Sequence, residues 1–117
     1  MLDLGLVFAI AAAGGLGSVF RLWAGRWTGW LPWGILTANS VAAVIFFLAM
    51  SKNDPSTLIV TTGICGGLST FSAVVADAGN YLRDRSYLKA ALNLLANYLV
   101  PVVACLLTAL VIGLLLN

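Results

Sequence analysis

The chain has 117 residues, of which 62% are hydrophobic and only 9% charged, with six basic and four acidic side chains and no histidine. So large an apolar share exceeds that of a soluble domain and places the chain in a membrane. Without histidine, with two cysteines set in apolar runs and with few carboxylates, most metal sites and hydrolytic enzymes are excluded, and a net charge of +2 with no basic run offers nothing to nucleic acid.

The charges leave four long uncharged stretches, of 17 residues after Asp3, 25 after Arg26, 22 after Asp54 and 28 after Lys89. A helix crosses a hydrocarbon core with about 20 apolar residues, so the expected fold is an all-α membrane protein, one domain of four transmembrane helices over residues 1–117. Asp3 stands where a signal peptide carries basic residues, and apolar runs continue to the end, which predicts a polytopic chain with no cleaved leader. The first helix is expected over Leu4–Ala24. The following loop holds Trp27, Trp30 and Trp33, and Trp prefers the membrane interface. Pro32 suits the first turn of a second helix reaching about residue 50, and Ser51-Lys52-Asn53-Asp54-Pro55-Ser56 reads as a polar turn.

A third helix is expected from about Thr57. Its residues 61–72 place three glycines and five hydroxyls in mid-span. Two readings stand side by side: close helix packing through small residues, or a break in the helix. Irregular backbone at that depth is tolerated only where protein buries it or a wet cavity receives it. The charged turn Arg83-Asp84-Arg85 then precedes a fourth helix over about 88–116. On that helix Asn93, Asn97, Pro101, Ala104 and Thr108 recur every three or four residues, which gathers them on one inward face. Cys65 and Cys105 read as reduced packing groups.

With four helices both termini share one side with Lys52, whereas Arg21, Arg26, Arg83, Arg85 and Lys89 lie at or near the other, five against one. The positive-inside rule predicts loops one and three in the cytoplasm and both termini outside.

Three signatures follow one another in order: Gly14-x-x-Gly17-Ser18-x-x-Arg21, Pro32-Trp33-Gly34-x-Leu36-x-x-Asn39, and Gly63-x-x-Gly66-Gly67-Leu68-Ser69-Thr70-Phe71-Ser72. Together, over roughly residues 14–77, they resemble the Fluc (CrcB-type) fluoride channels. The resemblance implies an antiparallel (inverted) dimer in a cell inner membrane, with narrow pores along the subunit boundary and a structural central Na+. It also implies passive export of fluoride down its electrochemical gradient. By position, Asn39 resembles the pore-lining amide, Phe71 the first of two pore phenylalanines, and Thr108 a pore hydroxyl of helix four. Gly66 and Ser69 match positions whose carbonyls hold the sodium. Arg21 is either an interfacial side chain reaching for water or a cap on the vestibule.

Elementary chemistry agrees with these roles. A bare small anion in a medium of low dielectric costs tens of kcal/mol, so a pore must replace its hydration. The Asn39 amide and the hydroxyls of Ser69, Thr70, Ser72 and Thr108 are suitable donors. A phenylalanine edge is electropositive and attracts an anion without trapping it. Freed carbonyls of a broken helix suit a hard cation such as Na+.

The chain departs from the pattern at three places. Val74 replaces the second phenylalanine, Ile35 stands where threonine is usual, and Ala104 stands where serine is usual. A homodimer would repeat each loss in both pores, and five against one is a poor charge balance for a chain inserting both ways. The preferred expectation is therefore a heterodimer with an oppositely inserted homologous subunit. Two alternatives are a non-conducting accessory subunit that orients a channel partner, and a small proton-coupled exporter working through Asp77. An enzyme lacks the necessary nucleophile, base and acid.

Overall fold

A computed structural model describes residues 3–52 and 54–116, so Asn53 of the expected turn and the extreme ends lie outside the described residues. Their regular elements are all helical, in the order α1 (Leu4–Ala24), α2 (Trp33–Ala49), α3 (Ser56–Leu58), a π-helical segment (Ile59–Cys65), α4 (Gly66–Leu68), α5 (Phe71–Arg83) and α6 (Tyr87–Leu115). Elements from α3 to α5 together form the third span, Ser56–Arg83. Leu4–Ala24, Ser56–Arg83 and Tyr87–Leu115 are long and apolar enough to cross a membrane, and α2 is shorter at 17 residues. At 1.5 Å per residue α2 extends about 25 Å, the short end of a span.

Helix ends follow local chemistry. The Asp3 carboxylate accepts from Gly5 N–H at 2.9 Å and starts α1 where expected. Pro32 sits just before α2 rather than inside its first turn, because its ψ of 72° is not helical. Asp54 accepts from Ser56 N–H at 3.1 Å and opens the third span, and that hydrogen bond holds its carboxyl below the usual aspartate range. Beyond α5, Arg85 adopts φ 57°, Arg85 N–H donates to Leu82 O at 3.0 Å and Ser86 N–H to Tyr81 O at 2.7 Å. This is a Schellman closure with arginine in the left-handed position that glycine favours. Arg85→Gly is expected to stabilise the chain by about 0.5–1 kcal/mol, read as a higher melting temperature in detergent.

The third span is the irregular one, and each irregularity has a cause. Thr61 Oγ1 donates to Thr57 O at 2.8 Å, so that carbonyl keeps a donor as the backbone widens into the π-helical turn. At Ser69 (φ −78°, ψ 149°) and Thr70 (φ −153°, ψ 121°) the backbone becomes extended and the helix breaks. Both readings of the glycine-rich segment therefore hold at once, because its glycines also let the first span approach closely. A Cβ at Gly67 would overlap the Gly14 carbonyl, and one at Gly17 would overlap the Ile64 carbonyl. A Cβ at Gly63 would lie 2.7 Å from the Ala13 Cβ. The first span and the first half of the third thus meet backbone to backbone along Gly14, Gly17, Gly63 and Gly67. Gly34 has a related task, since a Cβ there would fall on the Ala24 carbonyl beneath loop one.

On the opposite side of the third span, α2 packs Ala38 and Ala42 against Cys65 and Leu68. Loop one is tied to α6 by Lys89, whose ammonium lies 5.7 Å from the Trp30 ring and 5.9 Å from that of Tyr81. The outward faces of α6 carry exposed Leu95, Leu99, Leu106 and Leu110, which hydrocarbon tolerates and water does not.

Candidate functional site

The break at Ser69–Thr70 is held open by a side chain from another span. Thr70 N–H donates to Asn39 Oδ1 at 2.8 Å, and Asn39 Nδ2 donates to Thr70 O at 3.3 Å. Asn39 lies in the middle of α2, so a rigid helix delivers this two-point clamp to the backbone of Thr70. Thr70 is only 9% exposed, and lipid could not satisfy these groups in its place. Thr70 Oγ1 then caps α5 by accepting from Ala73 N–H at 3.2 Å, and it lies 3.1 Å from Ser72 Oγ.

The clamp redistributes the backbone charges. In a continuous helix Thr70 N–H would go to Gly66 O and Ala73 N–H to Ser69 O. Here both donors are taken elsewhere. The break therefore leaves the carbonyls of Gly66 and Ser69, a negative end, directly before the N-terminus of the 13-residue α5, a positive end. Gly66 and Ser69 are both exposed, and a Cβ at Gly66 would meet nothing within 4 Å.

Asn39 also donates to Asn97 Oδ1 at 2.9 Å. Asn97 Nδ2 donates to the Asn93 carbonyl and to Asn93 Oδ1, each at 3.0 Å, and Asn93 Nδ2 donates to Val74 O at 3.0 Å. The polar stripe expected on helix four does turn inward at this end, where Asn93 is 1% exposed. Val74, at the position of the missing second phenylalanine, is buried and gives its carbonyl to this network.

Two cavities meet at Thr70. One, of about 350 Å³, is lined by Asn39, Ser69, Thr70, Phe71, Asn97 and Tyr98 among others. Phe71 is 77% exposed and Tyr98 is also exposed, so this cavity opens on the outer face of the chain. The other, of about 600 Å³, is lined by Arg21, Arg26, Ile35, Thr70 and Ser72 among others. Arg21 thus faces a cavity that reaches the break. Asp77 lines a third space of about 320 Å³ beneath loop one, with Thr28 and Tyr81.

The structure therefore brings Asn39, Ser69, Thr70 and Phe71 to one cavity, and places Ser72 and Arg21 on the far side of Thr70. It does not bring Thr108 to either. Thr108 Oγ1 donates to Ala104 O at 2.8 Å, one turn back on its own helix. It lies about 16 Å from Asn97 along the helix axis. Tyr98 and the individual role of Asn97 escaped the sequence reading, although the four-residue spacing of Asn93 and Asn97 was the available signal.

Comparison with known proteins follows the same lines. The family model described as "CrcB-like protein, Camphor Resistance (CrcB)" matches residues 8–114. A Cronobacter sakazakii protein named "Fluoride-specific ion channel FluC" is 36% identical over 114 residues, covering 85% of this chain and 90% of its own length. Proteins of the same name from Thermococcus gammatolerans (36% over 110 residues, covering 83% of this chain and 87% of that protein) and Erythrobacter litoralis (35% over 125, covering 92% and 88%) are similar. These names describe ion channels and not enzymes, and with the apolar helices they set the chain in a membrane. By the length matched and the identity of its relatives, the chain belongs to the CrcB family.

Proposed function

We propose that this chain is a subunit of a passive, fluoride-selective channel, and that the anion passes the break in the third span. The observation that carries the reading is the clamp of Asn39 on Thr70, which builds a polar break between two cavities in an otherwise apolar bundle. The relatives named as fluoride-specific channels support the choice of ion. Along the path the α5 N-terminus and the Thr70 and Ser72 hydroxyls replace water, Phe71 offers its ring edge, and Arg21 draws anions into the wider cavity. Thr108 contributes further along α6.

The subunit works as one half of an antiparallel dimer. Phe71, Ser69 and Gly66 all lie on exposed surface, where a second subunit completes the wall. The donor set at Gly66 and Ser69 fits a structural Na+: carbonyl oxygens, on the surface, without their helical donors, with the partner supplying the rest. When bound, that ion ties the subunits together electrostatically. The partner is a homologous, oppositely inserted subunit, because Ile35 and Val74 make apolar wall where the pattern has polar or aromatic groups. The five-to-one charge bias gives loops one and three to the cytoplasm of a plasma membrane, with lipid against the outward leucines.

Asp77 lies beneath loop one and not at the amide cavity, which favours a channel over a carboxylate-driven exporter. Fluoride-electrode recordings of proteoliposomes test the reading. Co-reconstituted with its partner, the chain is expected to release fluoride and retain chloride, whereas alone it conducts poorly. Phe71→Ile is expected to slow release about tenfold. Ordinary flux from the chain alone defeats the heterodimer. Unchanged flux in the Phe71 variant means that this chain is scaffold and not pore wall.

A further inference from the structure

The three amides between the spans have their polarity dictated from both ends. Thr70 N–H can only donate, so Asn39 must turn Oδ1 toward it and Nδ2 toward Asn97. Asn97 must then answer with Oδ1, which turns its Nδ2 to Asn93. At the far end the Val74 carbonyl can only accept, so Asn93 must present Nδ2 there and Oδ1 to Asn97. Reversing one amide alone would set hydrogen against hydrogen or oxygen against oxygen.

An amide nitrogen has two hydrogens. Those of Asn39 go to Thr70 O and Asn97 Oδ1, and those of Asn97 go to the Asn93 carbonyl and Oδ1. The cavity lined by Asn39 and Asn97 thus offers an entering anion no amide hydrogen that is not already given. The 2.9 Å bond from Asn39 Nδ2 to Asn97 Oδ1 is the one that joins two side chains from different helices in the wall of this cavity. The other Asn39 bonds fix the backbone at the break, and the remaining Asn97 bonds lie within α6.

We infer that Asn97 Oδ1 is a resident stand-in for the anion: it occupies the Asn39 N–H until an anion displaces it, and so sets both residence time and selectivity. This rests on the reading that the anion path runs through this cavity. Entry is then an exchange of one acceptor for another, so the net gain is the small difference between two hydrogen bonds. A pore needs sites that are weak enough to leave. The same competition grades anions by acceptor strength. A small anion of high charge density outcompetes an amide oxygen for N–H, whereas a large, diffuse halide does not. Asn93 is a positioning residue here, since its two acceptors hold Asn97 Nδ2 and so set where Oδ1 stands against the Asn39 N–H.

The test uses the reconstituted channel with its partner, with fluoride and chloride efflux measured against concentration. Asn97→Ala removes the stand-in and leaves the Asn39 N–H open. Its half-saturating fluoride concentration is expected to fall about tenfold, its maximal flux to fall with it, and its chloride leak to rise. Asn97→Ser, too short to reach Asn39 but able to bond Asn93, is expected to shift the same way and serves if the alanine variant does not assemble. Fluoride saturation and chloride leak at wild-type levels in either folded variant, while Asn39→Ala still abolishes flux, overturn the stand-in alone. Normal flux in Asn39→Ala overturns the pore reading beneath it.

Discussion

Gly67→Val is expected to leave no folded bundle, in membranes or in detergent. The new Cβ would fall on the Gly14 carbonyl and come within 3.0 Å of Ser18 N, both backbone atoms inside a helix that cannot yield locally. To admit it, α1 must move away along its whole length, which opens the seam at Gly17 and Gly63 as well. Overpacking against flexible side chains costs about 1–3 kcal/mol, and here the obstacle is backbone, so the loss should reach the top of that range or exceed it. In lipid no hydrophobic gain between helices offsets this, because packing is most of what holds them together. Thermal melting and size-exclusion profiles in detergent are the measurement. Gly15→Ala is the control, since a Cβ there meets nothing within 4 Å. A Gly67→Val protein that melts with the control would show that the seam is looser than described.

Asn39→Leu is expected to heal the break and stop conduction. Leucine has no acceptor for Thr70 N–H, and that donor, buried at 9% exposure, must find another. A regular helix would assign it the Gly66 carbonyl, so the third span is drawn toward continuity and the polar step between the two cavities closes. Asn97 Oδ1 loses its donor in the same stroke. Stranding such groups costs about 1–3 kcal/mol each, less whatever the healed helix recovers, so the variant should fold with reduced stability. Fluoride release should drop by well over tenfold, and hydrogen exchange at Thr70 should slow as its N–H enters a regular helix. Rapid fluoride release from the leucine variant would remove Asn39 from the mechanism.

These two substitutions divide what sequence and structure each decided. The spans were legible before any coordinates, because hydrophobicity is summed residue by residue and a charge every 20 residues or so marks a boundary whatever the neighbours do. Hence α1 begins and ends at Leu4 and Ala24 as expected, and α6 departs by one residue at each end. The irregularity of the third span was legible too, since glycines and hydroxyls in mid-membrane must be accommodated somewhere. Its position was not. The chain breaks at Ser69–Thr70 because an amide 31 positions earlier takes the Thr70 N–H, and a π-helical turn in which Thr61 bonds back to Thr57 precedes the break.

Inward orientation of Asn93 and Asn97 followed from their spacing, but their order in a relay from Val74 to Thr70 did not. Thr108, on the same stripe, bonds only within its own helix. Which donor meets which acceptor depends on the depth and rotation of α2, α5 and α6 against one another, and no single sequence stretch states these. Such pairings are properties of two surfaces at once. A sequence states the surfaces, and only their packing selects the pairs.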